Sequence, residues 1–306
     1  MELIRPGTDI DFLRYSKIAA VFSSLLVLIG LATFFVRGGL TYGVDFAGGT
    51  IVHVKFSDPP TIAEVRQVLS ATAIQDLSVQ DFGLSGDEFL IRMAEPETDI
   101  GTDEDQTSPS VQVQDTLKEY FGERLLPVQR VETVGPKVGR NLRTRGILSV
   151  LFAALVMGTY IAFRFQLSFG VGAAVALFHD VLITATALLL MDVEFDLPIV
   201  AAFLTVIGYS VNDTVVVCDR IRENQRKMRR ETLATIIQRS INEMLSRTLI
   251  TSGTTLMVLL ALYFLGGSVI NGFAFVLLVG FTIGTYSSIY VASPIVLLWS
   301  GEGRRR

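Results

Sequence analysis

One carboxylate lies inside a segment that otherwise has the composition of a lipid-buried helix. Asp213 belongs to an apolar run that opens at Leu197, and the chain turns to charge only at Asp219. A charge at the bilayer centre costs roughly 2.5–3.5 kcal/mol on insertion scales, so such a group usually has a partner, a water path or a function. Helical spacing places further polar residues on the same face: Thr205, Tyr209 and Asn212. We predict that Asp213 is a protonatable carrier of coupling ions; a purely structural hydrogen bond or ion pair is the alternative.

Two other ionisable sites accompany this acid. Arg247 lies near the start of the fifth apolar run, and antiparallel packing of the fourth and fifth runs could bring its side chain toward Asp213. Arg247 could instead anchor the chain at the membrane surface. His179-Asp180 occupies the middle of the third run, where either a proton-relay role or a hydrogen-bonded packing role is expected. Adjacent residues on a helix point about 100° apart, so the two need not act together.

The composition is that of a membrane protein, since half of the 306 residues are hydrophobic. Six apolar runs are long enough, or nearly so, to cross a bilayer core of about 30 Å: Ile18–Val36, Ile147–Phe163, Phe169–Met191, Leu197–Cys218, Leu249–Leu265 and Phe273–Trp299. Cys218 is the only cysteine, so an intramolecular disulfide is impossible.

The distribution of charged residues predicts how these spans are oriented in the membrane. Residues 38–139 carry 17 acidic and 7 basic residues, a net charge of −10, whereas the whole chain carries −4. Basic residues cluster before the first span, between the fourth and fifth spans and at the end of the chain, while Asp192, Glu194 and Asp196 lie between the third and fourth. The positive-inside rule therefore places both termini in the cytoplasm and residues 38–139 outside. Topology and lipid contact explain the basic loop, so no nucleic-acid partner is predicted.

The region between the first two spans has the pattern of a small α+β domain. Alternating apolar residues predict four strands: 51–56, 77–82, 88–93 and 128–134. Two helices begin at the capping box Thr61-x-x-Glu64 and at Ser108-Pro109. Residues 95–106 are acidic and predict a solvated loop. The order βαββαβ is that of a ferredoxin-like domain.

These patterns predict an α-helical polytopic membrane protein with six transmembrane helices and one extracytoplasmic α+β ferredoxin-like domain between helices 1 and 2. Residues 1–37 form the cytoplasmic N-terminus and helix 1, residues 38–143 the periplasmic domain, and residues 144–306 helices 2–6. A basic amphipathic helix is predicted over 219–247 at the cytoplasmic surface.

Small residues predict places where another segment of the chain packs closely against the backbone. Gly48 and Gly49 suggest a bulge or a close backbone contact near the membrane, within a segment, Asp45–Thr50, that we interpret as a hinge. A ridge for close helix contact runs along span six: Gly280, Gly284 and Ser288. Ser287 and Ser288 could also form hydrogen bonds across helices.

The motifs of membrane enzymes are missing. The sequence has no H-E-x-x-H for a metalloprotease and no P-loop for an ATPase. Gly208-Tyr209-Ser210 could imitate a serine protease, but residue 212 is Asn where the G-x-S-x-G elbow has its second glycine. We therefore predict an ion-gradient-coupled transport component, not an enzyme, without a metal or cofactor.

Several motifs, in order along nearly the whole chain, resemble the SecF family of bacterial protein-export subunits: residues 43–50, 134–139, 179–180, 208–223, 246–248 and 284–288. The resemblance implies a six-span half-transporter of the RND superfamily in the bacterial inner membrane. It implies a heterodimer with SecD beside the SecYEG channel, with YajC and YidC as associates and membrane lipids around it. The pair would use the proton gradient to draw the exported unfolded polypeptide outward, with Asp213 as the membrane carboxylate and Arg247 as its partner.

Other functions stay open on the sequence alone. A small-molecule or lipid exporter of the RND type is one, although residues 38–139 leave little room for the large porter domains of drug pumps. A scaffold without ion coupling is another. The coupling ion is expected to be H⁺, and a carboxylate could also serve Na⁺.

Overall fold

The computed structural model describes residues 9–70, 72, 74, 77–82, 86–93, 108–165 and 167–300. The predicted loop at 95–106 and the C-terminal arginines lie outside this part of the chain. Within it, six helical segments are long and apolar enough to cross a membrane: Leu13–Arg37, Pro136–Arg164, Leu167–Leu190, Leu197–Lys227, Leu233–Leu265 and Ile270–Trp299. The predicted number of spans is therefore confirmed.

The helices and strands are numbered in chain order. The helices are α1 (Ser16–Arg37), α2 (Val44–Ala47), α3 (Ile62–Leu69), α4 (Pro109–Phe121), α5 (Pro136–Arg164), α6 (Leu167–Leu190), α7 (Leu197–Lys227), α8 (Leu233–Leu265), α9 (Ser268–Ser287) and α10 (Ser293–Trp299). The strands are β1 (Gly49–Lys55), β2 (Ser78–Phe82), β3 (Glu88–Met93) and β4 (Arg130–Val134). A π-helical turn, Ser288–Ala292, separates α9 from α10.

The four strands form one antiparallel sheet in the order β2-β3-β1-β4. Val52 on the central strand lies opposite Ile91 on one side and Val131 on the other. Alternate residues of the strands pack with α3 and α4 into a separate core, in which Val52, Ile91 and Leu117 are fully buried. The Thr61 capping box starts α3 as predicted. This order of strands and helices confirms the predicted ferredoxin-like domain, called the α/β domain below.

The spanning helices differ in how much of their apolar surface is covered. In α6, α7 and the last span, 50% of the most apolar window is buried, compared with 11% in the first span and 17% in α8. The first three therefore form the centre of the bundle, and α1 and α8 lie at its periphery. Gly280 allows α9 to approach α7 closely, because a Cβ there would lie 2.2 Å from Val206 Cγ2.

The basic segment 219–247 is not one separate amphipathic helix, and here the structure differs from the prediction. Its first part continues α7 to Lys227, and a short turn follows. Thr232 then accepts a hydrogen bond from the Thr235 N–H and caps α8, which runs without a break to Leu265. No proline interrupts α8, and its buried face continues from Ile237 and Ile241 into the membrane span, so one helix serves both parts.

The double glycine marks a close backbone contact, as predicted. Gly48 and Gly49 have φ values of 83° and 131°, a region that favours glycine. A Cβ on Gly48 would lie 2.8 Å from Pro136 Cα, and one on Gly139 would lie 2.9 Å from Gly48 N. The start of α5 therefore rests directly on the main chain that enters the α/β domain.

Candidate functional site

Asp213 lies near the middle of α7 and is only partly exposed. Ser288, at the start of the π-helical turn, donates its hydroxyl proton to Asp213 Oδ2 at 2.9 Å. The buried Thr248 side chain also lies close to this carboxylate, and the positive charge of Arg247 acts on it. Within the described residues, however, Arg247 forms no direct ion pair with Asp213, and its side chain is exposed. The direct partner of the acid is thus a serine from span six.

The polar stripe around Asp213 is uncovered in the isolated chain. Thr205 and Asn212 on α7 are exposed, and so are Arg247 and Thr251 on α8. Tyr209 is instead held in place by a ring stack on Phe281, with centroids 3.8 Å apart. Polar side chains in the middle of apolar spans avoid lipid, so this stripe is expected to face other helices or water.

Asp180, in the middle of α6, is fully buried and is the centre of a second polar cluster. Its Oδ2 accepts a hydrogen bond from Ser210 of α7 at 2.5 Å and one from Ser287 of α9 at 2.7 Å. Its Oδ1 lies 2.9 Å from Nδ1 of the adjacent His179. The carboxyl group therefore joins the three helices at the centre of the bundle.

The cluster continues from His179 to the first span. His179 Nε2 lies 2.9 Å from Ser23 Oγ, and Ser23 Oγ lies 3.1 Å from the Tyr286 hydroxyl. Tyr286 donates to the Ala19 carbonyl at 2.9 Å. This row of hydrogen bonds connects α6, α1 and α9, and Ser23 is buried although α1 is mostly exposed.

Two adjacent serines of span six contact the two different acids. Ser287 binds Asp180, and Ser288 binds Asp213. The π-helical turn begins at Ser288, whose carbonyl accepts a hydrogen bond from Ser293 Oγ at 3.1 Å. Such turns occur frequently at functional sites. Asp180 is therefore bonded to the last residue of α9, and Asp213 to the first residue of the π-helical turn.

A polar junction ties the α/β domain to the start of α7. Asp196 accepts a hydrogen bond from the Ile199 N–H at 2.9 Å and so caps α7, while Asp45 Oδ2 accepts one from the Leu197 N–H at 3.2 Å. Arg92, on the sheet, forms an ion pair with Glu194. The connecting segments also pair, because Phe195 N–H donates to the Thr41 carbonyl at 2.7 Å.

Burial perturbs the charged groups of this junction. Burial raises the pKa of the Asp196 carboxyl, and the negative charge of Asp45 raises it further, against the opposing effects of the Ile199 N–H and Arg92. Burial lowers the pKa of Arg92, although the Asp196 and Asp45 charges oppose that shift. The groups enclose a cavity of about 640 Å³ between the open face of the sheet and the ends of the spanning helices.

The structure brings some of the predicted site residues together and leaves others apart. The two polar clusters contain His179, Asp180, Ser287, Ser288 and Asp213, whereas Asp45, from the segment predicted to be a hinge, contacts the first turn of α7. Sequence reasoning missed several members of these clusters: Ser23, Ser210, Thr248 and Tyr286. Among the described residues, no group of three or more His, Cys, Asp or Glu side chains is arranged to hold a metal ion.

The fold and these sites define a polytopic helical membrane protein with an α/β domain inserted after its first span and ionisable groups inside its helical bundle. The family model for the C-terminal part of the protein export membrane proteins SecD and SecF matches residues 112–302, and the model for the SecD/SecF GG motif matches residues 33–60. The chain belongs to the SecD/SecF family of protein export membrane proteins.

Curated relatives and solved structures agree with this assignment. The protein translocase subunit SecF of Desulfurispirillum indicum is 47% identical, over 95% of this chain and 91% of that relative. The protein of the same name from Vibrio alginolyticus is 43% identical, over 97% of this chain and 91% of that relative. The crystal structure of SecDF, a translocon-associated membrane protein from Thermus thermophilus, superimposes with a TM-score of 0.82 at 36% identity. That match covers 96% of this chain but 39% of the longer SecDF chain. The chain is thus a SecF-type translocase subunit, a transport component.

Proposed function

We propose that this chain is the SecF half of a SecD–SecF pair that uses the proton gradient to promote late-stage protein export across the bacterial inner membrane. The observation that carries this proposal is the Asp213 carboxylate in the middle of α7, hydrogen-bonded to a hydroxyl of span six beside the charge of Arg247. A carboxylate at that depth is energetically costly, so its presence points to a function, and the exchange of a proton is the simplest function available to it. Na⁺ is the alternative ion.

Protonation of Asp213 removes one charge from the bundle. The attraction between Asp213 and Arg247 then disappears, and the Ser288 hydrogen bond weakens because its acceptor is no longer ionised. Since Ser288 begins the π-helical turn and Arg247 belongs to α8, helices of spans four, five and six are free to shift. A buried acid that alternates between two hydrogen-bonding states is the two-state element that coupling needs.

The polar junction gives such a shift a route to the α/β domain. The first turn of α7, the helix that carries Asp213, is bound by Asp45, while Glu194 just before it is bound by Arg92 of the sheet. A movement of α7 along or about its axis therefore pulls on the sheet and on the Asp45–Thr50 segment, which would act as the hinge. The α/β domain would lie outside the membrane, with both chain termini and the basic α7–α8 turn in the cytoplasm, according to the charge distribution.

The partner that covers the polar stripe is proposed to be SecD. The stripe around Asn212 and Arg247 is exposed, and the solved SecDF chains contain more than twice the length that this chain matches. We further propose that the pair works beside SecYEG, with YajC and YidC as associates, on an exported unfolded polypeptide.

The proposal is tested by measuring export into membrane vesicles with and without an imposed proton gradient. Asp213→Asn should reduce gradient-stimulated export to the unstimulated rate, because the amide carries no exchangeable charge. Asp219→Asn is the matched control, since it makes the same chemical change at an exposed position of the same helix and should retain the stimulation. Normal stimulation in Asp213→Asn would exclude the proposed role, and stimulation by a Na⁺ gradient instead of a proton gradient would reassign the ion.

A further inference from the structure

The donors in the row of hydrogen bonds between His179 and α1 follow from elementary chemistry. A carbonyl oxygen only accepts, so Tyr286 gives its single hydroxyl proton to the Ala19 carbonyl at 2.9 Å. Ser23 Oγ lies 3.1 Å from the Tyr286 oxygen and must be the donor in that bond. Ser23 Oγ also lies 2.9 Å from His179 Nε2. Because the Ser23 proton is directed to Tyr286, the hydrogen of this last bond resides on Nε2.

The other side of the ring then needs one more proton. A neutral imidazole with its hydrogen on Nε2 presents a lone pair at Nδ1. His179 Nδ1 lies 2.9 Å from Asp180 Oδ1, and an ionised Asp180 would place two acceptors against each other at that distance. The contact is a hydrogen bond only if a proton is present on Oδ1 or on Nδ1.

The charges around Asp180 lead to the same conclusion. Its other partners, Ser210 and Ser287, are neutral hydroxyls, and the group has no exposed surface. Across the part of the chain that the structure describes, no lysine or arginine hydrogen-bonds or ion-pairs with it, and its one ionisable partner is His179. A lone buried carboxylate is strongly unfavourable, whereas a pair that includes the extra proton is neutral.

We propose that His179–Asp180 is a proton-holding site, in which the pair keeps one proton beyond that of a neutral imidazole and has zero net charge. The proton resides either on Asp180 Oδ1, as a carboxylic acid facing an unprotonated Nδ1, or on Nδ1, as an imidazolium facing a carboxylate. Transfer along this bond breaks one O–H or N–H bond, forms the other and leaves the total charge unchanged. A role of this site in transport, as a second proton site in addition to Asp213, rests on the proposed function, whereas its protonation state does not.

The protonation state can be measured directly on the full chain in lipid bilayers. The chain has two histidines, His53 and His179, so ¹⁵N-histidine labelling gives only two rings, and His53→Gln assigns them. We expect nitrogen NMR at neutral pH to show His179 with a protonated Nε2, either as the neutral Nε2–H form or as imidazolium. If the ring is neutral, the infrared spectrum should also contain a carboxylic-acid band that disappears in Asp180→Asn.

The outcomes separate cleanly. An imidazolium, or a neutral Nε2–H ring together with the acid band, supports the site. A neutral ring with its hydrogen on Nδ1, or an Nε2–H ring without the acid band, overturns it. The ring measurement requires no change at position 180, so a folding defect in Asp180→Asn cannot obscure it. Normal gradient stimulation in Asp213→Asn would exclude the proposed function but would leave the ring result unchanged. The two failures are therefore distinguishable.

Discussion

Replacing Gly280 with alanine should push α9 away from α7. The added Cβ would lie 2.2 Å from Val206 Cγ2 and 2.7 Å from Cγ1, closer than any real contact of this kind. Val206 is buried, and a β-branched side chain in a helix has one strongly preferred rotamer, so it cannot rotate out of the way. The helices must separate instead, and overpacking of this type costs about 1–3 kcal/mol.

A matched substitution isolates that cost. Gly253→Ala on α8 makes the same chemical change where nothing lies within 4 Å of the new Cβ. Both variants gain the same backbone preference for alanine over glycine, at most about 1 kcal/mol, so this term cancels in the comparison. We therefore expect Gly280→Ala to be less stable than Gly253→Ala by about 1–3 kcal/mol, the overpacking cost itself.

The assay is unfolding of the full chain in mixed micelles by increasing dodecyl sulfate, followed by helical circular dichroism. The Gly280→Ala transition should occur at a lower detergent fraction than that of the parent, and the Gly253→Ala transition at an equal or higher one. Coincident transitions for the two variants would refute the close approach of α9 to α7 on which the placement of the serine pair depends.

Three further predictions concern the polar junction and the start of α5. In a double-mutant cycle, Arg92→Ala and Glu194→Ala should each weaken gradient-stimulated export, and the double variant should do little further harm, because both remove the same ion pair; fully additive losses would contradict a shared contact. Burial raises the pKa of Asp196, so the folded state holds that proton more tightly than the unfolded chain, and the free energy of unfolding should fall as pH rises through the range above the ordinary carboxyl pKa; Asp196→Asn should flatten this dependence in unfolding titrations, and an unchanged slope would show that other groups cause it. Gly139→Ala should destabilise the chain by about 1–3 kcal/mol in the same dodecyl sulfate assay, since its Cβ meets backbone at 2.9 Å, whereas Gly135→Ala meets nothing within 4 Å and serves as the control that should change little.

The hydropathy and periodicity of the sequence were sufficient to predict the architecture. Six apolar runs of sufficient length correspond to six spanning helices, and alternating residues such as Val52 and Val54 correspond to buried positions of one sheet. Hydropathy does not locate helix ends, however. It indicated where α8 enters the membrane near Leu249, whereas the helix begins at the Thr232 cap, because its polar first half has no helix breaker.

The sequence also indicated which side chains carry chemistry, but not how they pair. Asp180 and Asp213 stand out in the sequence because each is an acid within an apolar span. Their partners come from other spans, and no periodicity within one helix can specify that Ser210 or Ser288 lies opposite. The expected direct pairing with Arg247 is replaced by the Ser288 hydrogen bond, since the arginine lies on the uncovered surface of α8.

The adjacent pair in α6 shows a limit of the helical-wheel argument. Directions about 100° apart suggested that His179 and Asp180 need not act together, yet their side chains bend toward each other and bond at 2.9 Å. The signal that was available is the density of hydroxyl residues in spans one and six, where Ser23, Ser287 and Ser288 lie among apolar residues. Such hydroxyls predict hydrogen bonds between helices even where their partners are unknown.

The proposed role of Asp213 in carrying protons can be measured directly as proton flux through the SecD–SecF pair. Vesicles that contain this chain with SecD and enclose a pH-sensitive dye would report proton flux down an imposed gradient. We expect a flux above that of protein-free vesicles for the parent chain and for Asp219→Asn, and a flux at the protein-free level for Asp213→Asn. A full proton flux through Asp213→Asn would contradict that role.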